Sequence, residues 1–148
     1  QRLFLRRQVK KVYWTVAGGV VVKPLTVTAA LRSKGGEEQS AATKFTPLLE
    51  PWSSGEFAAT LLRAEPRTGR FHQIRKHLRE AGHPVLGDAE YGRAPWNEFA
   101  RKRCGVERAL LSAVELSFTH PRTNRPVHAR TLPDADFKKV IDSWKLIG

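Results

Sequence analysis

Residues 67–91 read RTGRFHQIRKHLREAGHPVLGDAEY. Ile74, Leu78 and Ala81 fall at i, i+4 and i+7, one face of a 3.6-residue period, so a helix is predicted from His72 to Ala81. Gly82 suits a C-terminal cap, and Pro84 prevents the helix from continuing. A turn at Pro66-Arg67-Thr68-Gly69 delivers this helix, whose first two turns carry Arg70, His72, Gln73, Arg75, Lys76 and Arg79 close together. Arg75 lies about 100° from the anchor Ile74, on the flank of the buried face. A guanidinium held there needs a carboxylate or phosphate partner; the alternative is a solvated basic helix face.

Working outward, Val12 to Ala17 is rich in β-branched and aromatic residues and is predicted as a strand. Gly18-Gly19 marks a turn or bulge, with Val20-Val21-Val22 continuing as strand until Pro24. Residues 32–40 are expected to be a surface loop, Ala42 to Leu49 a short strand, and Pro51 to Gly55 a turn. Phe57 to Glu65 reads as a strand and Val85-Leu86 as a short one; residues 93–108 read as basic and irregular, with a helical turn around Asn97 to Arg103. Leu110 to Thr119 is a long strand with Leu110, Val114, Leu116 and Phe118 expected on one face, Ser112 being the polar exception. Pro121 to Arg125 makes the reversal to a partner strand, Val127 to Leu132. A last helix begins at Pro133-Asp134, with Phe137, Val140, Ile141 and Trp144 as its apolar stripe. The expected product is one α+β domain over residues 1–148, with a mostly antiparallel mixed sheet and about two helices.

The 148 residues hold 26 Lys and Arg against 14 Asp and Glu, a formal charge of +12. That balance favours polyanionic partners, nucleic acid above all. The single Cys104 excludes an internal disulfide framework and a multi-cysteine metal site. His72 and His77 stand roughly 140° apart around a helix, so they do not converge on one metal. No apolar run approaches the roughly 20 residues of a membrane span. Asp134 and Asp136 suit a helix N-terminus better than an acid–base pair. No nucleophile elbow, zinc-protease helix or phosphate-binding loop sequence occurs. A DNA-binding regulator is disfavoured, because no helix-turn-helix pair is visible.

The stretch TGRFHQIRKHL, followed by GHPVLGDAEYG, resembles the signature of RluA-type RNA pseudouridine synthases. Lys11-Val12-Tyr13 resembles that family's K-x-Y strand. Leu110-Leu111-Ser112-Ala113 and Leu116-Ser117-Phe118-Thr119-His120-Pro121 resemble its late strand and hairpin, and Thr131 to Phe137 its close. Within the family the chain is most similar to the tRNA pseudouridine synthase C branch, through HQIRKHL and the asparagine-containing stretch after Tyr91. The resemblance runs from about Val9 to Phe137.

It implies isomerisation of uridine to pseudouridine in structured RNA, rRNA or tRNA, without a cofactor or metal. An ionised Asp attacks the extruded nucleotide, the glycosidic bond breaks, the base turns, and C5 rejoins the ribose. By the same resemblance Tyr13 packs on the uracil and helps the late proton step, Arg75 pairs with the catalytic Asp, and Leu111 walls the base pocket. The bland readings are a strand aromatic for Tyr13 and core packing for Leu111. Arg67, Arg70, His72, Lys76 and Arg79 are expected to bind RNA phosphates, aided by the 93–108 segment. Asp88 is expected to be structural, holding the backbone of its turn.

The chain departs from the family pattern at one decisive place. The catalytic Asp lies on an H-R-L-D-x-x-T-S-G-type segment upstream of the K-x-Y strand, and the four Asp here, at 88, 134, 136 and 142, all lie elsewhere. With no Met and a start at Gln1, the chain is expected to be the C-terminal portion of a catalytic domain. Trp14 replaces the usual small apolar residue, and Ser112 stands where His is frequent. The alternative is a catalytically silent relative that binds rRNA as a ribosome-assembly or structural factor, with ribosomal or assembly proteins as further partners. Cytoplasm, mitochondrion and plastid all fit, and the basic composition tilts the expectation towards the mitochondrion.

Overall fold

A computed structural model describes residues 9–147; the basic positions Arg2, Arg6 and Arg7 lie outside the described residues. The frame is an antiparallel sheet built around β1 (Lys10–Gly18). On one side β1 pairs with β7 (Phe57–Pro66), and on the other with β8 (Leu111–Thr119). Beyond β7 lie β5 (Thr43–Pro47) and β2 (Leu25–Val27), and beyond β8 lies β9 (Pro126–Arg130). The short β6 (Trp52–Ser54) also pairs with β7, and β3 (Leu31–Arg32) with β4 (Glu38–Gln39) forms a separate ribbon.

Three helices occur among the described residues: α1 (Gln73–Glu80), α2 (Ala94–Cys104) and α3 (Ala135–Ile147). None is long and apolar enough to cross a membrane. They divide over two cores. Ile74 and Leu78 of α1 pack with Ala17, Leu62, Ala64, Phe45 and Val85. Ala100 and Cys104 of α2 and Phe137, Val140 and Trp144 of α3 pack with Val16, Leu61, Trp52 and Leu110. Alternation along β1 and β7 sends neighbouring residues to opposite faces, so one sheet serves both cores.

Several expectations change. There are three helices where about two are expected, because 93–108 holds a full helix. Pro95 sits in its first turn, and Gly105 closes it in the left-handed conformation at φ 68°. Pro51 to Gly55 is not all turn: Trp52 is buried and pairs with Ala59, stacked near Trp144, and the reversal tightens to Gly55 at φ 60°. Val20 to Val22 is not strand; Val21 donates its N–H to Thr60 instead, and Val20 and Val22 are exposed. The polar loop 32–40 carries the ends of the β3–β4 ribbon. Val85 makes only an isolated bridge to Ala17.

The stripe expected on β8 is split by a register shift. Tyr13 pairs with Ala113 but Val12 with Glu115, so one extra β8 residue bulges. Leu110 and Ser112 therefore share one face, while Leu116, opposite Lys11, and Phe118 turn to the other.

Candidate active site

Tyr13 stands at the centre of the sheet, half-buried against the α1-side core. Leu111 sits on the adjacent strand, paired with Thr15, two residues along the same face. Arg75 projects from the first turn of α1, next to the buried Ile74. These three residues line one pocket of about 210 Å³, with Arg70 and His72 also in its wall. A site of that size is small beside the roughly 300–1,000 Å³ of drug-sized ligand sites, which suits a single flat base.

The guanidinium of Arg75 is fixed from several directions. Its Nε donates to Asp88 Oδ2 at 2.7 Å and its Nη2 to Asp88 Oδ1 at 2.8 Å. Nη2 also approaches Glu90 Oε2 at 3.4 Å, and the group lies 4.8 Å from the Tyr91 ring centroid. The hydrogen bond to Asp88 raises the Arg75 pKa further, so its charge is permanent. Asp88 meanwhile accepts the backbone N–H groups of Glu90 and Tyr91, each at 3.0 Å, as the turn reading expects. Burial alone would raise the Asp88 pKa, but the hydrogen bonds from Arg75 and these two amides outweigh it and hold the carboxyl below its usual value. The sequence signals that Arg75 needs an anion; it does not single out Asp88, thirteen residues away across a turn.

Gln73 is the residue that motif reading passes over. It is buried, and its amide is used on both sides. Oε1 accepts from Thr68 Oγ1 and from the Arg70 backbone N–H, while Nε2 donates to Ala42 O and Thr43 Oγ1. The loop that carries Arg70 into the pocket is thereby tied to β5, and Arg70 Nε adds a bond to Ser40 O at 2.8 Å. A glutamine immediately before a buried anchor residue is the available sequence clue.

His72 adopts a left-handed backbone, φ 52° and ψ 31°, uncommon for a residue with a Cβ. Its ring stacks on Phe71 at 3.6 Å between centroids, and its Nδ1 is hydrogen-bonded to the Tyr91 hydroxyl at 3.0 Å. Burial, and then the Arg75 charge, lower the His72 pKa, so at neutral pH it offers a neutral imidazole rather than a cation.

The other expected contacts disperse. Arg67 lines a larger charged groove of about 590 Å³ at the Lys10 end of the sheet. In that groove Arg63 and Arg130 are both engaged by Glu115. Lys76 reaches Arg32 O at 3.4 Å, and Arg79 is exposed on α1. The 93–108 segment packs in the other core, and several of its cations already have local partners: Arg101 and Lys102 at Glu98, Arg108 at Asp134 and Asp136.

The family model described as RNA pseudouridylate synthase matches residues 1–80, which include Tyr13 and Arg75. A tRNA pseudouridine synthase C from Vibrio cholerae serotype O1 is 32% identical over 159 residues, covering 96% of this chain and 65% of the relative. A ribosomal large subunit pseudouridine synthase C from Vibrio vulnificus is 38% identical over 87 residues, 59% of this chain and 27% of the relative. The chain thus spans just under two thirds of the length of the tRNA relative. The solved structure of human RNA pseudouridylate synthase domain containing 1 shares the fold, with a TM-score of 0.71 at 24% identity over 97% of this chain and 69% of that one. The matched span, the identity and the shared fold agree, and the chain belongs to the RNA pseudouridylate synthase family.

Proposed function

We propose that the protein acts as an RNA pseudouridine synthase, isomerising uridine to pseudouridine in structured RNA, and that residues 1–148 are the C-terminal portion of its catalytic domain. The observation that carries this reading is the convergence of Tyr13, Leu111 and Arg75 on one small pocket from a central strand, its neighbour and a helix. Tyr13 offers a ring for the uracil, Leu111 an apolar wall, and Arg75 a permanent charge for the nucleophilic carboxylate. tRNA is the favoured substrate class, since the tRNA relatives match along nearly the whole chain.

The chain's own aspartates do not suit the nucleophile's part. Asp88 has a fully buried side chain whose two oxygens take two donors from Arg75 and two backbone amides. Asp134 and Asp136 face Arg108 at the start of α3, and Asp142 pairs with Lys138 along it. The attacking Asp then belongs to the parent polypeptide outside these 148 residues. Full-length protein should form pseudouridine in unmodified tRNA, detected by carbodiimide-dependent reverse-transcription stops, and the 148-residue chain alone should not. RNA binding by a full-length protein without any pseudouridine would replace this reading with that of a silent rRNA-binding factor.

A further inference from the structure

Phe71 is 42% exposed, although it sits between the pocket-lining Arg70 and His72. It belongs to neither hydrophobic core. One contact is the His72 ring, nearly parallel at 26°. Two ammonium groups also approach the ring: Lys34 Nζ lies 4.4 Å from its centroid and Lys76 Nζ 5.2 Å. Lys34 comes from the turn of the β3–β4 ribbon, and Lys76 from α1, so two separate elements bring cations to one exposed aromatic ring.

The platform is braced from behind. His72 bonds to the Tyr91 hydroxyl, Tyr91 lies against Arg75, and Arg75 is locked onto the buried Asp88. The ribbon is held as well: Lys76 reaches Arg32 O, and His77 Nε2 bonds to Ala29 O at 2.8 Å. An exposed ring on a rigid support, flanked by positive charge, matches what an unpaired nucleotide requires. Its base has a π-face to stack, and its phosphates need cations.

We propose that Phe71, stacked on His72 and flanked by Lys34 and Lys76, is a stacking platform for an unpaired RNA base next to the extruded uridine. Lys34 and Lys76 hold that nucleotide's phosphates, and the ammonium now over the ring is the group a base displaces. This rests on the RNA-modifying reading above and extends it to a neighbouring nucleotide.

The test uses full-length protein, a fluorescent octauridylate, and an eight-unit abasic ribose-phosphate oligomer of the same charge. Phe71→Ala should weaken octauridylate binding roughly 5- to 150-fold, the loss expected for one base stack, and leave the abasic oligomer within about two-fold. Phe71→Tyr should restore binding. Phe71→Leu, which keeps apolar bulk without a π-face, should behave like Ala with an unchanged melting temperature. Lys34→Ala with Lys76→Ala should weaken both oligomers alike and flatten the log–log salt slope by about 1.4, for two phosphates on a single strand. Equal effects of Phe71→Ala on both oligomers, or none on either, overturn the platform while pseudouridine formation by the wild type still stands. Wild-type protein that ignores both oligomers overturns the platform as well, and pseudouridine formation on tRNA then decides the enzyme reading by itself.

Discussion

Arg75 and Asp88 form a bidentate pair in which the aspartate side chain is fully buried and the arginine side chain is 19% exposed. The arginine therefore has a partner inside this chain before any nucleophile approaches. Its Nε and Nη2 are committed to Asp88, so a second carboxylate must meet it from the pocket side. The pair also joins two segments that the fold must bring together, α1 and the Gly87–Tyr91 turn, and it fixes the angle at which Arg75 enters the pocket.

That pair should make stability acid-sensitive. The Asp88 carboxyl is held below its ordinary value of 3.8 in the folded chain. The unfolded chain thus takes up this proton first as pH falls. The contribution is complete above that value and is lost as pH drops through the folded one. Urea titrations across the acid range should show this loss, and Asp88→Asn should shrink it. At neutral pH Asp88→Ala strips Arg75 of its buried bidentate partner, leaving only the exposed Glu90, and should cost about 3–5 kcal/mol.

His77 should act in the same direction at a higher pH. It is fully buried, with Nδ1 at Thr43 Oγ1 and Nε2 at Ala29 O, both 2.8 Å. Burial is the largest influence and lowers its pKa below 6.5. The unfolded chain then binds a proton that the folded chain refuses, so stability declines as pH falls below about 6.5 towards the folded value. His72 shifts the same way and adds to the slope. His77→Gln should reduce the slope in denaturant titrations and cost about 1–3 kcal/mol at pH 8, the range for an unsatisfied buried polar group.

Gly82 and Gly87 share a φ of 82° but not a neighbourhood. A Cβ at Gly82 meets nothing within 4 Å, whereas one at Gly87 would lie 2.1 Å from the Arg108 carbonyl oxygen. Gly82→Ala should cost only the left-handed strain, about 1–2 kcal/mol. Gly87→Ala adds a backbone clash and should cost about 2–5 kcal/mol, the strain plus the usual overpacking penalty. Thermal melts of the two variants check the order; equal losses would mean that the Gly87 turn yields easily.

Much of this architecture was readable because local signals agreed with the tertiary outcome. Helix α1 combines an apolar face, a glycine cap and a following proline, and Tyr13 stands on a strand of aromatic and β-branched residues. Helix α2 is legible only as a helical turn around Asn97 to Arg103, although Trp96, Phe99, Ala100 and Cys104 keep a helical spacing between Pro95 and Gly105. Its dense positive charge hid that pattern, and the local ion pairs that relieve the charge are visible only in three dimensions. The β8 bulge has no local signature, because it is set by pairing with β1. The Arg75–Asp88 pair was half-readable: a flanking guanidinium demands an anion, but the approach of the Gly87 turn to α1 depends on tertiary packing.

At Arg75, rate and affinity should respond separately to substitution. Under the proposed function its charge keeps the nucleophilic carboxylate ionised, since a desolvated carboxyl without a cation has a raised pKa. Arg75→Ala removes that charge and also strands Asp88, so instability must be separated from chemistry. Asp88→Asn supplies the control, because it disturbs the same buried pair while leaving the guanidinium in place. Arg75→Lys keeps a point charge but loses the planar fork that reaches two oxygens at once. Single-turnover pseudouridine formation should therefore fall most in Arg75→Ala, by about a hundred-fold or more if some 3 kcal/mol of transition-state stabilisation is lost. The loss should be smaller in Arg75→Lys and smallest in Asp88→Asn, with all three assayed well below their melting temperatures. RNA dissociation constants should change by less than about three-fold across the set. If affinity falls in step with rate, Arg75 is a phosphate contact and its assignment to the nucleophile is wrong. If Asp88→Asn loses as much rate as Arg75→Ala, the decisive quantity is the angle at which the pair holds the guanidinium, and charge alone does not explain the site.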